Sequence, residues 1–225
     1  MDDIFERNIP TLTPEQQRAL EGATVFVAGC GGLGGYIIEF LVRLGIGGIT
    51  ACDGDSFSVS NLNRQILATA DTLGKSKVLT ARDRALSINP GIRFTALETF
   101  LDESNAKQCI EGCDIVMDAL DNGPSRQILS EAASQLGLPL IHGAVGGFRL
   151  QAAVAGADNP FLTSLYSGYD DSAKKSVLSF VPAVCAAVQV AQALEIITSQ
   201  KALLEDRFLM GDLRTLKLDI IDLKR

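Results

Sequence analysis

The stretch VAGCGGLGGY, residues 27–36, runs a short apolar segment into five glycines and then into an apolar helical pattern carried by Ile37, Ile38, Phe40, Leu41 and Leu44. Gly29, Gly31 and Gly34 stand at the G-x-G-x-x-G spacing, with Gly32 between them. Glycines between a strand and a helix permit a tight turn and close approach of the backbone to an anion, while the N–H groups and dipole of the helix start face phosphate. Asp53 closes the following strand, GGITACD, where a carboxylate accepts hydrogen bonds from ribose hydroxyls. On these residues alone three readings stand: a nicotinamide or flavin enzyme, another kind of nucleotide binder, or a bare tight turn.

The next stretches separate them. DGDSFSVSNLNRQIL (53–67) puts Arg64 just beyond the ribose acid, and GKSKV (74–78) adds Lys75 and Lys77 at a helix start. Hydride transfer leaves the phosphates intact and needs no such cations. Cleaving a phosphoanhydride builds negative charge on the departing pyrophosphate, which fixed cations stabilise. Taken singly, each is an ordinary solvated charge; the order in which they occur points to phosphate. DALDNGPSR (118–126) follows the fourth strand, at the sheet edge where ligands lie in doubly wound folds. Asp121 is suited to Mg²⁺, which favours one or two carboxylates together with substrate phosphates and water. The competing reading makes Asp121 or Asn122 a helix cap before Gly123. Asp118 is read as orienting its neighbours.

To bring these groups together the chain must alternate strands and helices. Thr13, Pro14 and Gln16 mark the start of a first helix. Strands over 24–29 and 47–53 enclose a helix over 33–44 ended by Gly45. Then come a helix over 75–88, a strand over 92–100, a helix over 103–111, a strand over 114–120, a helix over 124–136 and a strand over 138–144. This alternation predicts an α/β fold with a doubly wound, mainly parallel, Rossmann-like sheet. Beyond Gly146 the pattern gives a short strand (148–156), a polar aperiodic stretch, an Ala-rich helix over 182–199 and two short strands, RFLMGD and TLKLDII, as a small antiparallel C-terminal extension. We read a single domain over 1–225: an arm and helix (1–22), a nucleotide-binding core (23–145), and a crossover loop, long helix and C-terminal strands (146–225).

Composition narrows the setting. An apolar content of 47% over 225 residues suffices for a substantial core. No run of about 18 apolar residues occurs, and the acidic start MDDIFERNIP lacks the regions of a signal peptide, which reads as a cytoplasmic protein. A net charge of −7 argues against nucleic acid or membrane as the main partner. Five cysteines without a Cys-x-x-Cys pair point to neither a disulfide framework nor structural zinc.

The motifs GCGGLGG, DGDSFSVSNLNRQ, GKSKV, INP, DALDN followed by Arg126, and AQALEII occur in the order and spacing of the ThiF/MoeB/HesA group of adenylating enzymes, the bacterial relatives of ubiquitin-activating enzymes, which the chain resembles over roughly residues 5–200. The resemblance implies an adenylyltransferase that binds MgATP and activates the C-terminal glycine carboxylate of a small ubiquitin-like sulfur carrier, of the kind used in thiamine or molybdopterin biosynthesis, releasing pyrophosphate. It also implies roles: Gly29, Gly31, Gly32 and Gly34 at the nucleotide phosphates, Asp53 at the ribose, and Asn61, Arg64 and Lys77 at the phosphates. Asp121 and Asn122 fall at the magnesium and the attacking end. Arg7, in FERNI, resembles the arginine that such homodimers reach into the neighbouring ATP site. A carboxylate nucleophile is already ionised, so this chemistry needs no protein acid or base.

The chain departs from the group in lacking its zinc-binding Cys-x-x-Cys pairs and any cysteine in 156–181, so no covalent link to a carrier is implied. Cys30 and Cys185 read as small apolar residues, and His142 as a core or hydrogen-bonding residue. The Tyr166 and Tyr169 stretch with DDSAKK reads as a flap over a carrier tail or as a plain connection. Adenylation of a peptide C-terminus or of a tRNA-bound carboxylate, a non-catalytic nucleotide-binding scaffold and an NAD-binding dehydrogenase remain as alternatives.

Overall fold

The first helix is capped as its sequence requires. Thr13 Oγ1 accepts from Gln16 N–H (3.2 Å), Gln16 Oε1 accepts from Thr13 N–H (2.9 Å), and Pro14 opens the first turn. In the computed structural model, which describes residues 4–156, 165–166, 176–198 and 202–223, this helix is α1 (Pro14–Gly22). It is followed by β1 (Thr24–Ala28), α2 (Gly32–Leu44), β2 (Gly48–Cys52), α3 (Lys77–Ile88), β3 (Arg93–Leu97), α4 (Ala106–Ile110) and β4 (Ile115–Asp118). Then come α5 (Gly123–Gln135), β5 (Leu140–Gly146), β6 (Arg149–Ala155), α6 (Phe180–Ile197), β7 (Arg207–Asp212) and β8 (Lys217–Asp222). One eight-stranded sheet has the order β3-β2-β1-β4-β5-β6-β7-β8. Strands β1 to β5 pair in parallel, and β5 through β8 continue as an antiparallel meander.

Alternation along β1 sends Val25 and Val27 into the core beneath α2, α3 and α6, and Phe26 and Ala28 into a second core beneath α4 and α5. A period of two in a strand buried on both faces thus explains why TVFVA carries no charge. Gly45 ends α2 in the left-handed region (φ +97°), which glycine adopts without strain. Helix α6 is long and apolar enough by composition to cross a membrane, yet here it packs against α2, β5 and β6 as a core helix.

The elements differ from expectation at their ends. Helix α3 starts at Lys77, because the Ser76 hydroxyl caps it and Lys75 belongs to the preceding turn, its N–H donating to the Thr72 carbonyl. Strand β3 stops at Leu97, the last residue paired with β2. Helix α4 is five residues long, since Asp102 Oδ1 takes the N–H groups of Ser104 and Asn105 in the turn before it.

Strand order reverses between β1 and β4, which opens a crevice at the carboxyl ends of these strands. On the antiparallel half, α6 covers Leu150, Ala152, Val154 and Leu209, whereas Arg149, Gln151, Met210, Asp212, Lys217 and Asp219 stand on the opposite face.

Candidate active site

A cleft of about 940 Å³ occupies that crevice and runs on over the open face of β6–β8. The glycine turn forms its inner wall. Gly29, at φ +94°, donates to the Cys52 carbonyl (2.8 Å), which locks the end of β1 to β2. A methyl group on Gly34 would lie 1.7 Å from the Gly29 carbonyl oxygen, so only glycine lets α2 start this close to β1. Gly31, Gly32 and Leu33 line the cleft, and first-turn N–H groups have no acceptor within their own helix. The turn therefore presents donors and the positive end of α2 to whatever lies there.

Asp53 lines the cleft beside it, with Oδ2 accepting from Cys30 N–H (2.7 Å) and Oδ1 from Asp55 N–H (2.8 Å). Burial pushes its carboxyl up, against these two N–H groups and the nearby Lys77 charge, which favour the ionised form. Lys77 is buried along its stem and pairs with Asp55 Oδ2 at 2.9 Å. Arg64 lines the cleft near Gly32, its guanidinium held by the Ser60 carbonyl (2.8 Å) and Asn63 Oδ1 (3.0 Å). On the opposite wall Asp121 is exposed, and Asn122 caps α5 by accepting from Ser125 N–H (2.9 Å) while Nδ2 donates to Asp121 Oδ1 (3.4 Å).

The turn after β1, the start of α2, the end of β2, the turn carrying Arg64, the start of α3 and the turn after β4 thus bring Gly29, Gly31, Gly32, Asp53, Arg64, Lys77, Asp121 and Asn122 to one cleft. Gly34 supports it from beneath. Asn61 lies outside the lining: it is buried and its Oδ1 accepts from Ser58 N–H (2.9 Å), so it shapes the turn that carries Arg64. Arg7 is also outside, exposed in the short 3-10 turn Glu6–Asn8. Asn8 fastens that turn to the Leu44 carbonyl (3.1 Å), at the far end of α2 from the glycine turn. Of the stretch around Tyr166 and Tyr169, residues 157–164 and 167–175, Tyr169 among them, lie outside the described residues.

Several cleft residues are given no role in the site by the sequence. Gln65 is buried beside Gly31, and its Oε1 has no hydrogen-bond partner among the described residues. Phe100 lines the cleft over Gly54, and Arg126, Gln151 and Tyr166 line it at the β4–β5 edge. Cys30 and Cys185 are fully buried; burial pushes both thiols up, Cys185 to about 12, as inert core thiols require.

Residues 5–225 match the ThiF family. The chain belongs to that family. It is an adenylyltransferase. It is 34% identical over 201 residues to a sulfur carrier protein adenylyltransferase of Thermus thermophilus, covering 84% of this chain and 74% of that one. It is 31% identical over 218 residues to the SAMP-activating enzyme E1 of Haloferax volcanii, covering 93% and 81%. Among solved structures, E. coli MccB with ATP superposes with a TM-score of 0.87 at 19% identity, over all of this chain and 72% of that one, a likeness of fold.

Proposed function

We propose that this ThiF-family enzyme transfers AMP from ATP to the C-terminal glycine carboxylate of a small ubiquitin-like sulfur carrier and releases pyrophosphate. The observation that carries this reading is the continuity of the cleft. Its inner end has the glycine turn, Arg64 and Lys77 for phosphates; its outer floor is made by Ala144, Val145, Gly146 and Gly147, then by the open face bearing Arg149, Met210 and Lys217. A methyl group on Gly146 or Gly147 would meet nothing within 4 Å, so the floor leaves room for an extended, glycine-ended tail.

The chain's own groups bind and orient. Lys77 exchanges Asp55 for phosphate oxygens, and Arg64 and the α2 N-terminus stabilise charge on the departing pyrophosphate. Asp121 would hold magnesium together with phosphate oxygens and water. Among the described residues no cluster of three potential ligands occurs, and a single carboxylate suits an ion that keeps most of its shell from phosphate and water. Such an ion neutralises phosphate charge. The tail carboxylate needs no base to attack.

The active unit in this reading is a homodimer. Arg7 sits at the end of α2 remote from the glycine turn, and thirteen helical residues span roughly 20 Å, so its own cleft is out of reach. Helix α6 meanwhile exposes Phe180, Val184, Ala187 and Ala191 at helical spacing, an apolar stripe suited to a second copy. The test is exchange of labelled pyrophosphate into ATP. Exchange that appears with a Gly-Gly-ended carrier and is lost when the last glycine is removed supports the reading; exchange driven instead by a free peptide, or none with any carrier, overturns it.

A further inference from the structure

Beside the cleft lies a buried polar cluster that adenylation does not consume. Asp118 and His142 are fully buried, with Asp118 Oδ2 2.7 Å from His142 Nδ1. A carboxylate at Nδ1 fixes the proton there and leaves Nε2 as the acceptor. Nε2 lies 3.1 Å from the Tyr166 hydroxyl, which also accepts from Arg126 Nη1 (2.6 Å) and Gln151 Nε2 (2.9 Å). The Arg126 guanidinium lies over the Tyr166 ring, 4.8 Å from its centre.

The two ends of this cluster close on one residue. Asp118 Oδ1 accepts the Leu120 N–H (2.9 Å), and Arg126 Nη2 donates to the Leu120 carbonyl. Leu120 is thus gripped on both sides, and the next two residues are Asp121 and Asn122. Asp118 and Arg126 are also an ion pair, 3.4 Å apart and buried, whose geometry depends on the groups that complete it.

We infer that Asp118, Arg126, His142 and Tyr166 form a positioning device: the Tyr166 hydroxyl and the His142 ring set the Arg126 fork, which with Asp118 clamps Leu120 and so aims Asp121 and Asn122 into the cleft. This rests on the adenylation reading for its kinetic consequence and not for its geometry.

The decisive variant is Tyr166→Phe, which keeps the ring against Arg126 and His142 and removes only the hydroxyl. It should lower kcat for carrier-dependent pyrophosphate exchange about tenfold, with KM for ATP within about twofold, because misplacing a reacting group costs rate and spares ground-state binding. His142→Asn should act in the same direction, and the double variant should be no worse than the poorer single, as expected of groups acting as one unit. Amide hydrogen exchange should speed up at residues 120–123 and stay unchanged at 115–117 in β4. Wild-type kcat in Tyr166→Phe, multiplying losses in the double variant, unchanged exchange at 120–123, or loosening that extends through 115–117 would each overturn the inference. Should the wild-type enzyme exchange no pyrophosphate at all, the adenylation reading fails while the amide measurement still decides the clamp.

Discussion

Lys77 spends the free enzyme paired with Asp55, and Arg64 is braced by its own turn, so both cations are held in place before nucleotide arrives. Groups preorganised in this way act on charge that develops in the transition state. Lys77→Ala and Arg64→Ala should each cut kcat for exchange by about 10²-fold, in line with loss of one oriented charge-stabilising donor. Asp53→Ala should chiefly raise KM for ATP, since a ribose contact is made equally before and during the reaction. Steady-state kinetics on folded variants separates the two effects; unchanged kcat in Lys77→Ala removes its phosphate role. These groups were legible because their signals are local: a glycine spacing, an acid at a strand end, cations in a fixed order. The Leu120 clamp was not. One at a time, Asp118 reads as orienting its neighbours, Arg126 as the arginine that follows DALDN, His142 as a core or hydrogen-bonding residue and Tyr166 as part of a flap or connection, and only the pairing of β4 with β5 and the packing of Tyr166 beneath Arg126 bring them together.

At the scale of elements, hydrophobic period, with cap signals for α1, found every strand and α-helix of the nucleotide half, though not its short 3-10 turns, because strands buried on both faces and helices buried on one leave clear patterns. It missed ends, which are set by single side chains: the Ser76 hydroxyl caps α3, and the Asp102 carboxylate holds the turn before α4. It also gave no hint that α6 has an apolar exposed stripe, since a helix apolar all round reads simply as buried. If the proposed homodimer forms through that stripe, Val184→Asp will sediment as a monomer where the wild type sediments as a dimer, with exchange activity falling alongside; a monomeric wild type would overturn the dimer. Arg7→Ala and Lys77→Ala dimers should both be poor. Mixing them in equal amounts makes half the dimers mixed, each with one intact site, so activity should return to about a quarter of wild type. No recovery after confirmed subunit exchange would place Arg7 outside the partner's cleft.

Across the whole molecule one histidine makes the acid response interpretable. Burial pushes His142 below its ordinary value, with Asp118 opposing, so the ring stays neutral in the fold. Below about pH 6.5 the unfolded chain binds a proton that the folded chain refuses, and stability falls with falling pH by at most about 1.4 kcal/mol per unit until the folded ring titrates. Asp53, whose carboxyl is raised, acts with the opposite sign: the fold takes up its proton first. Urea unfolding at pH 5.5 and 7.5 should show a loss of stability in the wild type at the lower pH that is smaller in His142→Asn; an equal loss in both would assign the acid lability to other groups. The sheet order has its own consequence for how the molecule is made. Strand β1 waits for β4, some ninety residues later, and α2, which carries the glycine turn, waits for α6 near the end of the chain. During synthesis the phosphate-binding half therefore emerges first and is completed last. Until residues 180–197 leave the ribosome the apolar face of α2 is covered only in part, by β1 and α3, so a nascent chain of this enzyme presents around its nucleotide turn the kind of apolar surface that chaperones bind before it presents a site.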